Sequence, residues 1–210
     1  MTLPRSLDPI ECRILGSLME KQRATPDHYP LTLNSLGSAC NQRTSRDPVT
    51  DYTENEIESA IARLQSAKLL WKVHSGRVAK YEHNLNDILG FNAATRAVVT
   101  LLLLRGAQTS GEIRSRSERL HDFNSVAEVD EVLETLAHLD EPLVVQLPRQ
   151  AGQKENRWVH LMSGEPDIEE PMTPTPTASR SGLEERLATV EEKVEELAKD
   201  LRALRDELGE

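Results

Sequence analysis

The sequence contains few cysteines, and their placement argues against a metal site or a disulfide framework. Of 210 residues, only Cys12 and Cys40 are cysteines. Both lie in segments with helical patterning, and neither belongs to a CxxC or histidine-rich cluster. We therefore expect two reduced core residues and no metal site.

Long apolar runs are also missing. No stretch approaches the length of a membrane span, and the first residues, MTLPRSLDPIE, lack a basic region followed by an apolar core. These features predict a soluble, cytoplasmic protein without a membrane partner.

Motifs that carry chemistry are missing too. The chain has no glycine-rich phosphate loop, no nucleophile elbow and no HExxH, and its six histidines are scattered. His28 and Tyr29 could be imagined as an acid and a base, but Tyr29 is better read as a half-buried anchor. His83 and His160 occupy comparable places after their strands, which favours structural roles such as bonding the turn backbone. We predict a non-enzymatic protein with no cofactor.

The net charge of −10 is unevenly distributed. Residues 164–210 hold 14 acidic and 6 basic side chains, which gives −8, whereas residues 1–163 hold 21 and 19, which gives −2. Residues 1–83 come to +1 and residues 84–163 to −3. Neither half has the strongly basic balance of a non-specific nucleic-acid binder.

Residues 53–83 predict a helix followed by a two-stranded hairpin. Thr53 and Glu56 have the spacing of a capping box, and the residues that follow recur at helical spacing (Ile57, Ala60, Ile61, Leu64). After Lys68 the period changes to two, with Leu69, Trp71 and Val73 set against Leu70, Lys72 and His74. Gly76 offers a turn before the return strand. This pattern is typical of the second half of a winged-helix unit.

Two helices are predicted before that stretch. Asp8-Pro9-Ile10-Glu11 combines an N-cap, a proline at the first helical position and a capping-box carboxylate. A second helix is expected from Thr32 to about Gln42. A polar loop, NQRTSRDPVTDY, then leads to the third helix.

The same order recurs further on. Residues 84–90 are interpreted as a connector and residues 94–104 as an apolar helix that ends at Gly106 in a left-handed cap. Capping boxes at Thr109/Glu112 and Ser125/Glu128 begin the next two helices, the first of which is expected to span TSGEIRSRSERL. A second apolar set lies 72 residues after the first one and consists of Val129, Val132, Leu133 and Leu136. A β stretch follows this second set. The sequence therefore predicts a mainly α protein with small β wings (α+β), with one winged-helix domain at residues 1–83 and another at 84–163.

The remaining residues have a different composition. Residues 164–181, with four prolines, are predicted to be a disordered linker, and residues 182–210 a coiled-coil helix. The heptad seam of residues 182–210 predicts a parallel homodimer. The alternative is that these residues form one amphipathic helix folded back on residues 1–163 of the same chain. The seam consists of Leu183, Leu187, Val190, Val194, Leu197, Leu201, Leu204 and Leu208.

Several long runs carry a family resemblance: LGSLMEKQRATPDHYPLTLNSLGSACNQRTSRDPV, KYEH, LLLLRGAQTSGEIRSRSERLHDF and LPRQAGQKENRWVHLMSG. Over residues 7–164 the chain resembles the YceH family of uncharacterised bacterial proteins. The resemblance implies a tandem winged-helix body, usually presumed regulatory, with no established catalytic or binding residues.

The charges divide the candidate binding residues into two sets. The predicted third helices present acidic faces, which suit a protein partner or are ordinary solvated surface (Glu54, Glu58, Asp130, Glu131, Glu134). Basic residues collect elsewhere, as a non-standard nucleic-acid face or as surface ion pairs (Arg43, Arg46, Arg114, Arg116, Arg119, Arg149, Lys154, Arg157).

Two functions remain open at this point. The first is a DNA-associated or transcription-regulatory protein whose tail joins two bodies, as two half-sites demand. The second is an interaction module whose acidic third helices dock on a partner, by analogy with winged-helix subunits of chromosome-organising complexes.

Overall fold

The computed structural model describes residues 3–75, 78–149 and 153–166, and the elements below are those of these residues. They form a mixed α and β protein with seven α-helices and two small antiparallel sheets. The predicted coiled-coil helix and all but residues 164–166 of the predicted linker lie outside the described residues.

The first half runs from α1 to β3. It comprises α1 (Pro9–Ala24), β1 (Leu31–Thr32), α2 (Leu33–Cys40), α3 (Glu54–Ser66), β2 (Leu70–Ser75) and β3 (Val78–His83). The second half comprises α4 (Leu85–Leu89), α5 (Ala93–Arg105), α6 (Ser110–Arg116), α7 (Val126–Ala137), β4 (Val144–Leu147) and β5 (Arg157–His160).

Local capping chemistry sets the helix starts. Complete capping boxes begin α1 at Asp8, α3 at Thr53 and α6 at Thr109, as the sequence predicts. At α7 only half of the predicted box is present. Ser125 accepts from the Glu128 N–H, but the Glu128 carboxylate accepts from the backbone and side chain of Asn124 instead.

Both halves contain a short strand segment between two helices, α1 and α2 in the first half and α5 and α6 in the second. In the first half β1 pairs with β3, which gives a sheet of order β1-β3-β2. In the second half the corresponding segment is a single bridge, in which Gln108 and Trp158 exchange two backbone hydrogen bonds of 3.0 and 2.8 Å. The repeated order of elements therefore includes this strand as well as the helices and hairpins.

Helices α1 and α5 pack together at the centre of the molecule. Residues Glu11–Met19 are buried on every side of α1, which also contacts α2 and α3. A Cβ on Gly16 would lie 3.0 Å from Leu104 Cγ and 3.1 Å from Leu103 Cβ. The missing side chain of Gly16 therefore sets how closely the two helices approach, and one hydrophobic core serves both halves.

Hydrogen bonds join the two halves around that helix pair. The Asp47 N–H donates to the Leu104 carbonyl at 2.9 Å, and the Leu7 N–H donates to the Met162 carbonyl at 2.8 Å. Arg23 Nε reaches the Leu120 carbonyl at 3.2 Å. Each of these bonds joins residues that are far apart in the sequence, so it forms only when both halves are folded.

A buried carboxylate holds the start of α1 in place. Glu11, whose side chain is fully buried, accepts two bonds from Arg5 and one of 3.2 Å from Arg63 Nε. Burial acts to raise the pKa of Glu11, but the hydrogen bonds from Arg5 and from the Asp8 N–H outweigh it and lower the pKa. The contacts of Glu11 with Arg5 and with Arg63 therefore tie the N-terminal segment and α3 to α1.

The histidines that end β3 and β5 differ in burial: His83 is buried and His160 is half-buried, and the His83 ring makes a contact that differs from the one expected. His83 Nε2 lies 2.9 Å from Gln22 Oε1 on α1, and its backbone N–H donates to the Tyr29 hydroxyl at 3.0 Å. The contact of the ring is thus a side chain and not the turn backbone. Burial and nearby Arg96 lower the pKa of His83 to about 4, and burial lowers the pKa of His160 to about 4.

Several element predictions need correction. The predicted connector contains α4, whose Leu85 and Leu89 are buried. Helix α6 ends at Arg116 and not at Leu120, because the chain turns at Ser117 and so buries Leu120. In the first hairpin, the predicted set of alternating residues (Leu69, Trp71 and Val73) does not form one buried face of the strand. Leu69 precedes the strand and is buried, whereas Trp71 is 43% exposed.

Other predictions are confirmed. The α3 stripe of Ile57, Ala60, Ile61 and Leu64 is buried, as are Cys12 and Cys40, which are free thiols. In α7, Val129, Leu133 and Leu136 are buried and Val132 is half-buried. The left-handed cap predicted at Gly106 is by contrast not formed, because its φ of 65° is positive but its ψ of −143° lies outside the left-handed helical region.

The helix pair predicts opposite effects for one substitution at two glycines. Gly16→Ala should destabilise the protein by about 1 kcal/mol, because overpacking of 1–3 kcal/mol exceeds the ~1 kcal/mol helical gain of alanine. Gly37→Ala in α2, where the new Cβ meets Ile57 at an ordinary 3.5 Å, should be neutral or stabilising. Urea denaturation of both variants measures this, and equal shifts of the midpoint would show that α1 and α5 are not closely packed.

The buried histidines predict a loss of stability in weak acid. Since both folded pKa values lie below the ordinary histidine value of 6.5, the unfolded state binds more protons than the native state as the pH falls below 6.5. Each histidine should cost about 2 kcal/mol of unfolding free energy at pH 5, where most carboxylates are still ionised.

Thermal melts between pH 7 and 5 check this prediction with a matched pair of variants. His83→Gln should remove about half of the decline, and His28→Gln, at an exposed position, should leave it unchanged. An identical decline in all three proteins would contradict the assignment to His83.

Candidate nucleic-acid interface

The outer faces of α3 and α7 are acidic, as predicted. Glu54 and Glu58 on α3, and Asp130 and Glu131 on α7, are exposed, and their side chains make no hydrogen bond or ion pair among the described residues. The Glu134 carboxylate oxygen Oε2 lies 3.4 Å from His138 Nδ1. Arg63, the one basic residue of α3, forms an ion pair with Asp8 Oδ2 at 2.6 Å. These helices therefore carry negative charge where a groove-reading helix needs positive charge.

Arg46 is a structural residue, which corrects its predicted place in a nucleic-acid face. It is 5% exposed, and its guanidinium donates to the Glu20 carboxylate and to the Ala39 and Ser45 carbonyls. These five hydrogen bonds match the five N–H donors of arginine, so none is left for a phosphate. Burial acts to raise the pKa of Glu20, and the Arg46 pair outweighs it and lowers the pKa.

Arg157 is also engaged within the fold. Its guanidinium forms a two-point ion pair with Glu112, at 2.9 and 3.0 Å, and donates to the Ala107 carbonyl at 2.8 Å. Burial acts to raise the pKa of Glu112, and bonds from Arg157 and the Thr109 N–H outweigh it and lower the pKa. Arg157 therefore ties β5 to α6 and contributes little free positive charge.

The three arginines expected on one helix separate. Since α6 ends at Arg116, Arg119 lies in the turn beyond it. Arg114 bonds to the Phe123 and Asn124 carbonyls at 3.3 and 3.2 Å, and Arg116 to Gln108 Oε1 at 2.8 Å. Arg119 is exposed and makes no hydrogen bond or ion pair among the described residues.

Arg43, Arg149 and Lys154 are likewise exposed and unpaired within the described part of the chain. Arg149 and Lys154 flank the tip of the β4–β5 hairpin, where they line a groove of about 480 Å³ with the starts of α6 and α7. Arg43 lies in the loop after α2. Four of the eight predicted cations therefore remain free.

A cleft between the halves brings together cations that the sequence did not single out. Its volume is about 610 Å³, and its charged lining consists of Glu20, Lys21, Arg105, Arg116, Glu118 and Arg119. Arg105 and Lys21 are the residues that sequence reasoning missed. Arg105 is the last residue of α5, and no local sequence pattern indicates that it lies beside the turn after α6.

Across 3–75, 78–149 and 153–166, no group of three or more His, Cys, Asp or Glu side chains could hold a metal ion. Within the same ranges, no helix is both long and apolar enough to cross a membrane. Burial and nearby Glu82 raise the pKa of Tyr29, against the effect of the bond from His83, and His28 is exposed.

Comparison with known proteins places the chain in a family. A family model described as a protein of unknown function, DUF480, matches residues 7–153. A model described as Nnf1 matches residues 111–206, less than half of the chain.

The relatives include proteins similar over most of the chain. A UPF0502 protein of Paraburkholderia phymatum is 44% identical over 211 residues, covering 98% of this chain and 90% of that protein. One from Geobacter sulfurreducens is 46% identical over 190 residues, covering 88% and 87%. One from Burkholderia ambifaria is 48% identical over 164 residues, covering 78% and 70%. The chain therefore belongs to the DUF480, or UPF0502, family of uncharacterised bacterial proteins.

Proposed function

We propose that this protein is a non-catalytic, DNA-associated tandem winged-helix protein of the YceH type, with its two bodies joined as a homodimer through the C-terminal helix. The order helix, strand segment, helix, helix, hairpin in each half supports the winged-helix assignment. The N-caps Thr109 and Thr32 are 77 residues apart, whereas Ser125 and Thr53 are 72 apart. The first copy therefore carries five more residues from the start of its second helix to the start of its third.

The observation that carries the DNA proposal is the set of four free cations. Arg43, Arg119, Arg149 and Lys154 are exposed and have no intramolecular partner among the described residues, so binding phosphate would break no existing bond. Each phosphate neutralised by such a residue releases condensed counterions, which is the main source of affinity for DNA.

The mode of binding follows from the acidic third helices. Because α3 and α7 present carboxylates, they are unsuited to lie in the major groove as the recognition helix of a typical winged-helix protein does. Contact falls instead to the β4–β5 wing, the loop after α2 and the turn after α6. Such contacts favour backbone positioning over base reading, so we expect weak sequence preference.

Protein docking is the second candidate, and one observation favours it. Glu54, Glu58, Asp130 and Glu131 are exposed and unpaired within the described residues, and Val126 beside them on α7 is 41% exposed. An acidic helix face with an apolar residue at its edge suits a basic partner surface. In that case the DNA affinity is incidental and the acidic residues decide the function.

The DNA proposal predicts a measurable salt dependence. Replacing Arg119 and Arg149 together by Ala should flatten the slope of log affinity against log salt by about two, if each residue meets one phosphate. Replacing Lys72 and Lys80 in the first hairpin makes the same change of net charge and should leave the slope unchanged. Fluorescence anisotropy with genomic DNA fragments at several salt concentrations gives the slopes.

Two results would decide against DNA association. One is the absence of binding at low salt and micromolar protein. The other is an equal slope for both double variants, which would mean that only net charge matters. Loss of partner capture with Glu58→Lys and Glu131→Lys, with DNA affinity unchanged or raised, would support the docking function instead.

The dimer is a separate prediction. In the heptad seam, Val194 and Leu201 occupy interior positions, so replacing both with Lys should convert a full-length dimer into a monomer by light scattering. Glu192→Lys, at an outward heptad position, should leave the dimer intact. A wild-type monomer at tens of micromolar would refute the coiled coil, and a dimer that survives the double change would place the interface elsewhere.

A further inference from the structure

The cleft between the two halves has the size and lining of a small-ligand site. Its walls come from the end of α1, the loop at residues 42–45, the end of α5 and the turn after α6. The volume of about 610 Å³ lies within the range of roughly 300–1,000 Å³ that is typical of small-molecule pockets. Leu101, Leu104 and Leu120 supply apolar surface beside the charged groups.

Arg105 is the unusual residue of this cleft. It is the last residue of α5, and its guanidinium makes no hydrogen bond or ion pair among the described residues. Its Nε is buried and donates to no acceptor there. A buried donor without a partner is costly, so such groups are commonly satisfied by a bound ligand or water.

The surrounding charge is positive in spite of two carboxylates. Burial lowers the pKa of Arg105, and the neighbouring Arg116 and Arg46 guanidiniums lower it further. Glu20 is already paired with Arg46 at 2.7 Å and with Lys21 at 2.9 Å, which leaves Glu118 as the unpaired carboxylate. The Glu20 and Asp47 carboxylates act on Arg105 in the opposite direction and raise its pKa, but neither forms a hydrogen bond or ion pair with it. Arg105 and Arg119 therefore hold donors that have no acceptor among the described residues.

We propose that this cleft binds a small phosphate-bearing ligand, with Arg105 and Arg119 as its principal donors. Two planar guanidinium groups can each bind phosphate oxygens at two points, and a bound anion would give the buried Arg105 Nε its missing acceptor. Thr44 and Ser45, whose hydroxyl groups are further possible donors to an anion, line the same cleft. The apolar residues suit the organic part of a phosphorylated metabolite.

The ligand would contact both halves at once. Lys21 and the loop at residues 42–45 belong to the first half, and Arg105 and Arg119 to the second. Binding should therefore stabilise the whole body against unfolding, in proportion to ligand concentration. This proposal goes beyond DNA association and does not depend on it.

Isothermal titration of the full chain with pyrophosphate and with adenosine monophosphate tests the proposal, at constant ionic strength set with chloride. We expect saturable binding of at least one probe, weakened about tenfold or more by Arg105→Gln, since a charge-assisted bond to phosphate is worth that much. Lys72→Gln, on the first hairpin, should bind like the wild type.

Arg119→Gln provides a second variant in case Arg105→Gln does not fold, because Arg119 is exposed and makes no intramolecular bond within the described residues. It should also weaken binding. No saturable binding of either probe at millimolar concentration would overturn the proposal, as would binding that both arginine variants retain in full. Loss of DNA binding in Arg149→Ala with unchanged pyrophosphate affinity would separate the two proposals.

Discussion

The close approach of α1 to α5 at Gly16 is the constraint on which the rest of the structure depends. With no side chain at Gly16, Leu103 and Leu104 reach the backbone of α1, and the cores of the two halves become one. A helix buried on all sides, as α1 is between Glu11 and Met19, cannot be stable as an isolated amphipathic element. The two halves are therefore expected to fold cooperatively and not as independent domains.

That shared core also decides where the charges lie. The loop after α2 is drawn against the end of α5 by the Asp47 to Leu104 bond, and this places Arg46 inside, against Glu20. Desolvating Arg46 and Glu20 together is tolerable only because every donor of the guanidinium has an acceptor. The same docking brings the end of α1 opposite Arg105 and so creates the cleft.

The free charges divide the surface into regions with different uses. Acidic side chains cover the outer faces of α3 and α7, whereas cations without a partner among the described residues lie on the β4–β5 hairpin, in the loop after α2 and in the turn after α6. A protein with this distribution has no single basic face, which agrees with the near-neutral charge of residues 1–163. Association with DNA would then rest on a few separate phosphate contacts, and a basic protein partner would meet the acidic faces of α3 and α7.

The sequence by itself determined the helix starts, the buried stripe of α3 and the repeated order of elements. These features depend on residues within one or two turns of each other. Asp8 with Glu11, and Thr53 with Glu56, satisfy backbone N–H groups wherever the helix lies in the fold. Only the tertiary structure decided which arginines are free. Arg46 and Arg157 are engaged by carboxylates 26 and 45 residues away, and Arg105 meets Arg116 and Arg119 across a cleft whose other wall belongs to the first half. No local pattern encodes such pairings, because they depend on how closely α1 and α5 can pack.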